Sequence, residues 1–295
     1  MNCEFGITIH IIQWKQYRRV LMSTEYSAEE IHSRLLVMAK TFHGICVENN
    51  LRYYMLGGTM LGAVRHKGFI PWDDDMDFGM PREDYDRFIS VSNKILPEYY
   101  EIRFYKNTDN SPIHYAKLID NRTTLVEASY TNYVEGLYID IFPLDGAGNG
   151  MLFDRIRAKR ILWHQILIMN HCTTRDKKGI RKLLKKYARF RNINNLHDSM
   201  EKLMTAKTLS ESSLIANYLG AWAEKEIMPK DVMGTPALYT FEDAEFYGSE
   251  NADKYLKSLY GDYMKLPPKE NQVFKHNYYY LNYDLPYREY DSQKD

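Results

Sequence analysis

Four carboxylates, Asp73, Asp74, Asp75 and Asp77, fall within five positions of the stretch LGGTMLGAVRHKGFIPWDDDMDFGM, Leu56 to Met80. Like charges a few ångströms apart raise one another's pKa unless a cation neutralises them. A hard divalent ion with oxygen ligands meets that need. Upstream stand Gly57, Gly58 and Thr59. Glycine amides can approach phosphate oxygens closely because no Cβ intervenes, and threonine adds a hydroxyl donor. A phosphate cradle beside a carboxylate-held ion points to phosphoryl or nucleotidyl transfer, in which the ion stabilises charge on the leaving oxygen. A third acid is expected from a neighbouring strand. Asp140, alone among apolar β-formers in Tyr138-Ile139-Asp140-Ile141-Phe142, is the candidate. Burying a carboxylate there is costly without a partner or a metal.

The residues alone leave two other readings of the acidic run open. It could be a solvated loop or N-cap cluster. It could be a calcium loop, with Asp73, Asp75 and Asp77 at positions one, three and five and Asp84 at twelve. That motif asks for Gly at position six and Glu at twelve, and this chain has Phe78 and Asp84. Nearby cations are also ambiguous. Arg65, His66 and Lys67 could meet donor phosphates or sit at a helix C-terminus. Lys117 could bind donor phosphate or pair with Asp120 or Glu127.

Elements that would position these groups can be read from periodicity. Ser27-Ala28-Glu29-Glu30 reads as a capping box, and Ile31, Leu35, Met38, Phe42 and Ile45 mark an amphipathic helix to about Asn50. Tyr53 to Leu56 fits a short buried strand ended by Gly57-Gly58, and Thr59 to His66 a helix. Asp75 to Phe78 alternates acidic and apolar, so a strand would hold Asp75 and Asp77 on one face. A helix from Pro81 to about Ile95 comes next, with Tyr85, Phe88 and Ile89 on its apolar side. Further strands are expected at Glu101–Tyr105, Tyr115–Ile119, Thr123–Glu127 and Leu137–Phe142. Helices are expected at Met151–Asn170, Ile180–Arg191, Leu196–Ala206, Ser210–Ala223 and Asp253–Tyr260. Tyr278-Tyr279-Tyr280 and Tyr283 could form a core strand or stack on a ligand. The fold class is therefore α/β (α+β): a mixed sheet flanked by helices over residues 22–150, then a mainly helical half over 151–295 that completes the site.

The chain has 295 residues, 44% hydrophobic and 26% charged, enough for a sizeable core and unlike a disordered chain. A formal net charge of zero argues against a general nucleic-acid binder. Cys3, Cys46 and Cys172 are scattered, which suits a reducing compartment. The apolar runs Ile7–Ile12 and Ile161–Met169 fall well short of the roughly 20 residues a membrane span needs. These features suggest a cytoplasmic protein. Residues 1–21 differ in character from the rest of the chain, so we expect Met22 to be the true start and 1–21 an upstream extension. Between Asp154 and Arg191, thirteen basic residues face two acids, Asp154 and Asp176. Ile180, Leu183, Leu184 and Tyr187 share a helical face beside Arg181, Lys182, Lys185, Lys186 and Arg189. The segment Arg175–Arg191 could lie peripherally on an anionic inner membrane face, or bury its apolar side in the core.

The motifs Gly57-Gly58-Thr59, Leu61-Gly62-Ala63-Val64-Arg65-His66, Gly68-Phe69-Ile70-Pro71-Trp72-Asp73-Asp74-Asp75-Met76-Asp77 and Pro81-Arg82-Glu83-Asp84-Tyr85 resemble the LicD (fukutin-like) family of phosphotransferases. The likeness continues in Tyr115 to Asp120, Gly136 to Asp145 and Leu259 to Pro268, and so spans about Ser27 to Pro268. The resemblance implies a nucleotidyltransferase-type fold. It also implies transfer of a phospho-alcohol such as phosphocholine from a CDP-alcohol (CDP-choline first) to a hydroxyl of a surface glycan: lipopolysaccharide, teichoic acid or capsule. Carried over, Gly57 to Thr59 would cradle the diphosphate. Asp75 and Asp77, joined by Asp73, would hold two Mg²⁺ or Mn²⁺ ions, and Asp140 would be the third acid. The resemblance implies that CMP would leave; Arg65 and Lys117 are candidates for phosphate binding by their positions alone, with the alternatives above still open. Two departures stand out: the long gap Arg65 to Trp72 before the acids, and Lys269-Glu270-Asn271-Gln272 where relatives have a basic, histidine-rich ending, leaving His276. Alternatives are a nucleotidyltransferase that attaches NMP to a protein or small molecule, and a non-catalytic, cation-dependent glycan-binding protein.

Overall fold

The computed structural model describes residues 27–127, 133–173, 178–274 and 278–290. The expectations for residues 1–21 and Met22, for Arg175 and for His276 lie outside them. Helix α1 (Ala28–Glu48) opens at the expected N-cap, the Ser27 hydroxyl accepting the Glu30 N–H at 3.1 Å, while the Glu30 carboxylate pairs with Arg34. Its stripe of Ile31, Leu35, Met38, Phe42 and Ile45 is buried. Strand β1 (Tyr54–Met55) leads into α2 (Gly57–Arg65), then β2 (Asp77–Pro81) and α3 (Arg82–Ile95). Strands β3 (Tyr100–Arg103), β4 (Ala116–Asp120), β5 (Thr124–Glu127), β6 (Val134–Glu135) and β7 (Tyr138–Gly148) come next.

The main sheet runs β1-β2-β7-β4-β3. The β2–β7 pair is parallel and its other pairs are antiparallel. All eleven residues of β7 are buried, which is what a strand covered on both faces requires. Phe42 of α1 meets Phe78 of β2 and Phe88 of α3 with ring centroids 5.0 and 5.5 Å apart, so helix, sheet and helix share one aromatic core.

Beyond residue 150 come α4 (Leu152–Cys172), α5 (Ile180–Arg189) and α6 (Ile193–Met204). The helix expected over Ser210–Ala223 is not formed. Leu214–Ala216 is instead strand β8, pairing antiparallel with the far end of β7, and Ala223–Glu226 is a 3₁₀ turn. The reason is the length of β7: its last residues carry backbone groups that a helix at this place would leave unpaired. β9 (Ile227–Pro229) pairs with β8 and is followed by the short helix α7 (Lys230–Met233). The hairpin β10 (Ala237–Phe241) and β11 (Ala244–Gly248) was not foreseen. Helix α8 (Ala252–Tyr260) and strand β12 (Tyr278–Asn282) close the fold, β12 pairing with β5 in a small second sheet with β6. Of the tyrosine strand, Leu281 is buried, Tyr278 half-buried and Tyr279 exposed. The mixed α/β class holds, and the chain after residue 150 also adds strands to it.

Candidate active site

The acid strand is positioned from both sides. Met76 and Phe78 are fully buried and alternate with the half-buried Asp75 and Asp77, so the expected alternation holds. The ladder, however, begins at Asp77, and Asp75 lies in the extended segment before it. The Met76 carbonyl accepts the Asp140 N–H at 2.9 Å, and Asp77 then sits opposite Asp140 on β7. Asp140 in turn sits opposite Lys117 on β4. Registered residues of neighbouring strands project from the same face about 5 Å apart. Asp77, Asp140 and Lys117 therefore form a row across three strands.

Both glycines belong to the first turn of α2 rather than to a bend before it. Gly57 has φ +47°, a conformation that favours glycine. Its N–H is taken by the Tyr255 hydroxyl at 2.9 Å, so it is not offered to a phosphate. The first intrahelical bond is Met60 N–H to Leu56 C=O, which leaves the Gly58 and Thr59 amides ahead of the ladder. A Cβ on Gly58 would lie 2.4 Å from Oδ2 of Asp73, and one on Gly57 would lie 3.3 Å from Oδ2 of Asp77. The turn thus packs directly against two of the acids. The Thr59 hydroxyl accepts the Asp77 N–H at 2.8 Å and ties the turn to the strand.

The carboxyl of Asp77 is held well above the usual carboxylate range, first by desolvation and then by Asp75, Asp140, Asp73 and Glu226. The sequence-predicted acids Asp73, Asp75 and Asp140 are accordingly all close enough to act on Asp77. Asp74 is buried, which removes the solvated-loop reading. Asp84 lies on α3 and accepts from Arg52 Nε at 2.6 Å, which removes the calcium-loop reading. Among the described residues, no group of three or more His, Cys, Asp or Glu side chains is arranged to hold a metal ion.

The predicted cations fare differently. Lys117 is buried and bonds Glu135 Oε1 at 2.7 Å, with Glu127 at 3.9 Å and its ammonium 3.2 Å from the Tyr138 ring centroid. Burial lowers its pKa, but Glu135, Asp140 and Glu127 more than reverse this and the net direction is up. Asp120 pairs with Arg122 instead. Arg65 is half-buried and donates to the Tyr263 carbonyl at 2.7 Å. Burial lowers its pKa, against the fields of Tyr260 and Asp73.

Several neighbours were not singled out from the sequence. His32 hydrogen-bonds the Asp73 carbonyl at 2.6 Å and stacks on Phe69 at 4.1 Å. Glu226 is buried, accepts the Trp222 N–H at 3.2 Å, and is pushed up to about 7 by burial. Nothing in its run Ala223-Glu224-Lys225-Glu226 marks it. Tyr260 does fall inside the family-like stretch Leu259 to Pro268, and its hydroxyl would lie 3.7 Å from a Cβ on Gly57. The long Arg65 to Trp72 gap is fastened by the hairpin: the Phe69 N–H donates to Glu242 Oε1 at 2.9 Å, and the Glu242 N–H to the Lys67 carbonyl at 2.7 Å.

A glycine-opened helix against a parallel acid-bearing strand pair fits a nucleotidyltransferase-type domain. The family model described as LicD/FKTN/FKRP, nucleotidyltransferase domain, matches residues 50–165, which contain all of those elements. The lipopolysaccharide cholinephosphotransferase LicD of Haemophilus influenzae is 30% identical over 248 residues, covering 80% of this chain and 90% of that protein. The chain belongs to the LicD family. Shorter matches include the human ribitol 5-phosphate transferase FKRP, 46% identical over 41 residues, or 14% of this chain and 8% of that protein. An uncharacterized protein of Rickettsia typhi is 35% identical over 98 residues, 33% of this chain and 28% of that protein.

Proposed function

We propose that the protein is a metal-dependent phosphotransferase that moves a phospho-alcohol from a CDP-alcohol to a glycan hydroxyl and releases CMP. The reading rests above all on Asp77 and Asp140 facing each other on β2 and β7, beside the first turn of α2. Two relatives carry names of this class, a cholinephosphotransferase and a ribitol 5-phosphate transferase. The donor set fits a hard cation by its chemistry: oxygen ligands only, crowded until Asp77 resists ionisation. Mg²⁺ is commonly held by one or two carboxylates plus substrate phosphates, so a closed cage of three protein ligands is not required. Asp77, with Asp73 or Asp75, would hold Mg²⁺ or Mn²⁺, which supplies Lewis-acid stabilisation of the donor phosphates.

The protein's own groups supply the rest. The Gly58 and Thr59 amides, at the positive end of α2, bind donor phosphate oxygens. Arg65 adds positive charge at the other end of that helix. Lys117, anchored by Glu135, sets a positive charge opposite Asp140, and the Asp140 carboxylate is placed to accept the proton of the acceptor hydroxyl. The hydroxyl oxygen bonds to the phosphorus nearer the alcohol, the bond from that phosphorus to the bridging oxygen breaks, and CMP carries away the electron pair.

Incubation with a panel of CDP-alcohols, a glycan acceptor and Mg²⁺ or Mn²⁺ should release CMP and label the glycan with the alcohol phosphate. Asp140→Asn should slow turnover on the order of 10²–10⁴-fold. Labelling by the nucleoside instead would establish a nucleotidyltransferase. No release with any donor, or an Asp140→Asn enzyme of full activity, would refute the proposal.

A further inference from the structure

Helix α5 spends little of its apolar surface on the core. Ala188 is its one fully buried residue among those described, and Leu184 is half-buried. Ile180, Leu183, Tyr187 and Phe190 recur at spacings of three, four and three, so they share one face. They are 81%, 67%, 47% and 79% exposed. Scattered apolar residues at a surface are ordinary, but a continuous exposed stripe marks an interaction site. The alternative that this face packs into the core is therefore overturned.

The neighbouring helix adds exposed apolar surface. On α4, Leu152, Ile156 and Trp163 lie on one face at spacings of four and seven, with the charged Lys159 among them, and all four are exposed. The two helices pack against each other, and His171 of α4 meets the Ala188 carbonyl at 3.0 Å. Beside the apolar stripe of α5, Lys182, Lys186 and Arg189 form a second exposed row. Over residues 154–191 the sequence carries thirteen basic residues and two acids, in a chain with no net charge. No helix among the described residues is long and apolar enough to cross a membrane.

We infer that the exposed faces of α4 and α5 dock the protein on a bilayer rich in anionic phospholipid, the apolar rows entering the headgroup boundary and the basic row meeting phosphates. Charge selects this occupant. A second copy of the chain would bring the same positive row against its own image, whereas an anionic lipid surface neutralises it. The helices would lie in the interface plane rather than span it, as amphipathic segments do. The inference does not depend on which reaction the catalytic site performs, because its readout is vesicle binding.

The full chain should sediment with vesicles containing phosphatidylglycerol and much less with pure phosphatidylcholine, and added salt should weaken that binding. Each basic residue near an anionic surface contributes roughly a fivefold factor, so Lys182→Glu with Lys186→Glu should reduce binding by at least about tenfold. Leu183→Ser with Phe190→Ser should reduce it as well, including at high salt. These positions are exposed, and an unchanged melting curve confirms that each variant is folded. Equal binding to neutral and anionic vesicles, or folded variants that bind as tightly as the parent, would overturn the inference. So would a dimer in light scattering that Leu183→Ser with Phe190→Ser dissolves, since the occupant would then be a second copy.

Discussion

Asp77 concentrates the conflict between stability and activity at this site. Desolvation and three neighbouring aspartates oppose its ionisation, yet its proposed role as a cation ligand requires the ionised form. Because its folded pKa is raised, Asp77 lowers stability as pH rises through that pKa. Replacement by Asn removes the repulsion. Asp77→Asn should therefore melt higher than the parent in chelator at pH 8, by about 2–4 °C for each kcal/mol recovered. Under the proposed function, the parent should melt higher with Mg²⁺ and release CMP, and Asp77→Asn should lose both responses almost completely. A lower melting point would show that Asp77 is not strained, and an intact Mg²⁺ response that it is not a ligand. The acids were legible because alternation with Met76 and Phe78 is a local signal. The partner of Lys117 was not: Glu135 comes from β6, which pairs with β5 in the second sheet, and no spacing in the sequence brings it to β4.

Among the elements, the β10–β11 hairpin does the least expected work. Its turn residue Glu242 holds both ends of the Lys67–Phe69 segment, and Phe241 packs on Phe69 with centroids 4.9 Å apart. The Arg65 to Trp72 segment thus reaches the acids as a braced loop. Glu242→Ala should cost about 1.5–3 kcal/mol, as expected for losing a hydrogen bond to a charged acceptor. It should also speed trypsin cleavage after the exposed Lys67 and lower kcat/KM, because the loop carries Asp73. Cleavage no faster than in the parent would mean the brace is dispensable. The hairpin is not legible in the sequence because the exposed side of β10 carries the apolar Leu238, so burial alternates along the strand while residue type does not. The helix wrongly expected over Ser210–Ala223 has the same origin: Leu214–Ala216 is strand because β7 needs a partner, a demand set far away in the chain.

For the whole molecule, burial of ionisable groups sets the pH range of stability. Glu226 is raised from 4.5 to about 7, so its contribution is fully present below about pH 4.5 and is lost as pH rises through about 7. His197 is lowered from 6.5 to about 4, chiefly by desolvation, and stacks with His114 at 5.2 Å between ring centroids. Its contribution falls as pH drops from about 6.5 towards 4, because only the unfolded chain takes up the proton readily. Glu226→Gln can still accept the Trp222 N–H, and in chelator it should become more stable than the parent by on the order of 1–3 kcal/mol between pH 5 and 8. A difference independent of pH in thermal melts would rule this out. Local order was readable from residue types alone: the capped α1, the acid–apolar alternation before β2, the glycine pair, and the amphipathic α5. Each is a relation among near neighbours with a period near 2 or 3.6. Only the tertiary structure decided that Tyr255 would take the Gly57 N–H, that Glu226 would join the field on Asp77, and that the apolar face of α5 would stay in solvent. Those outcomes depend on strand register and on which distant segments cover a surface, and neither is a function of spacing along the chain.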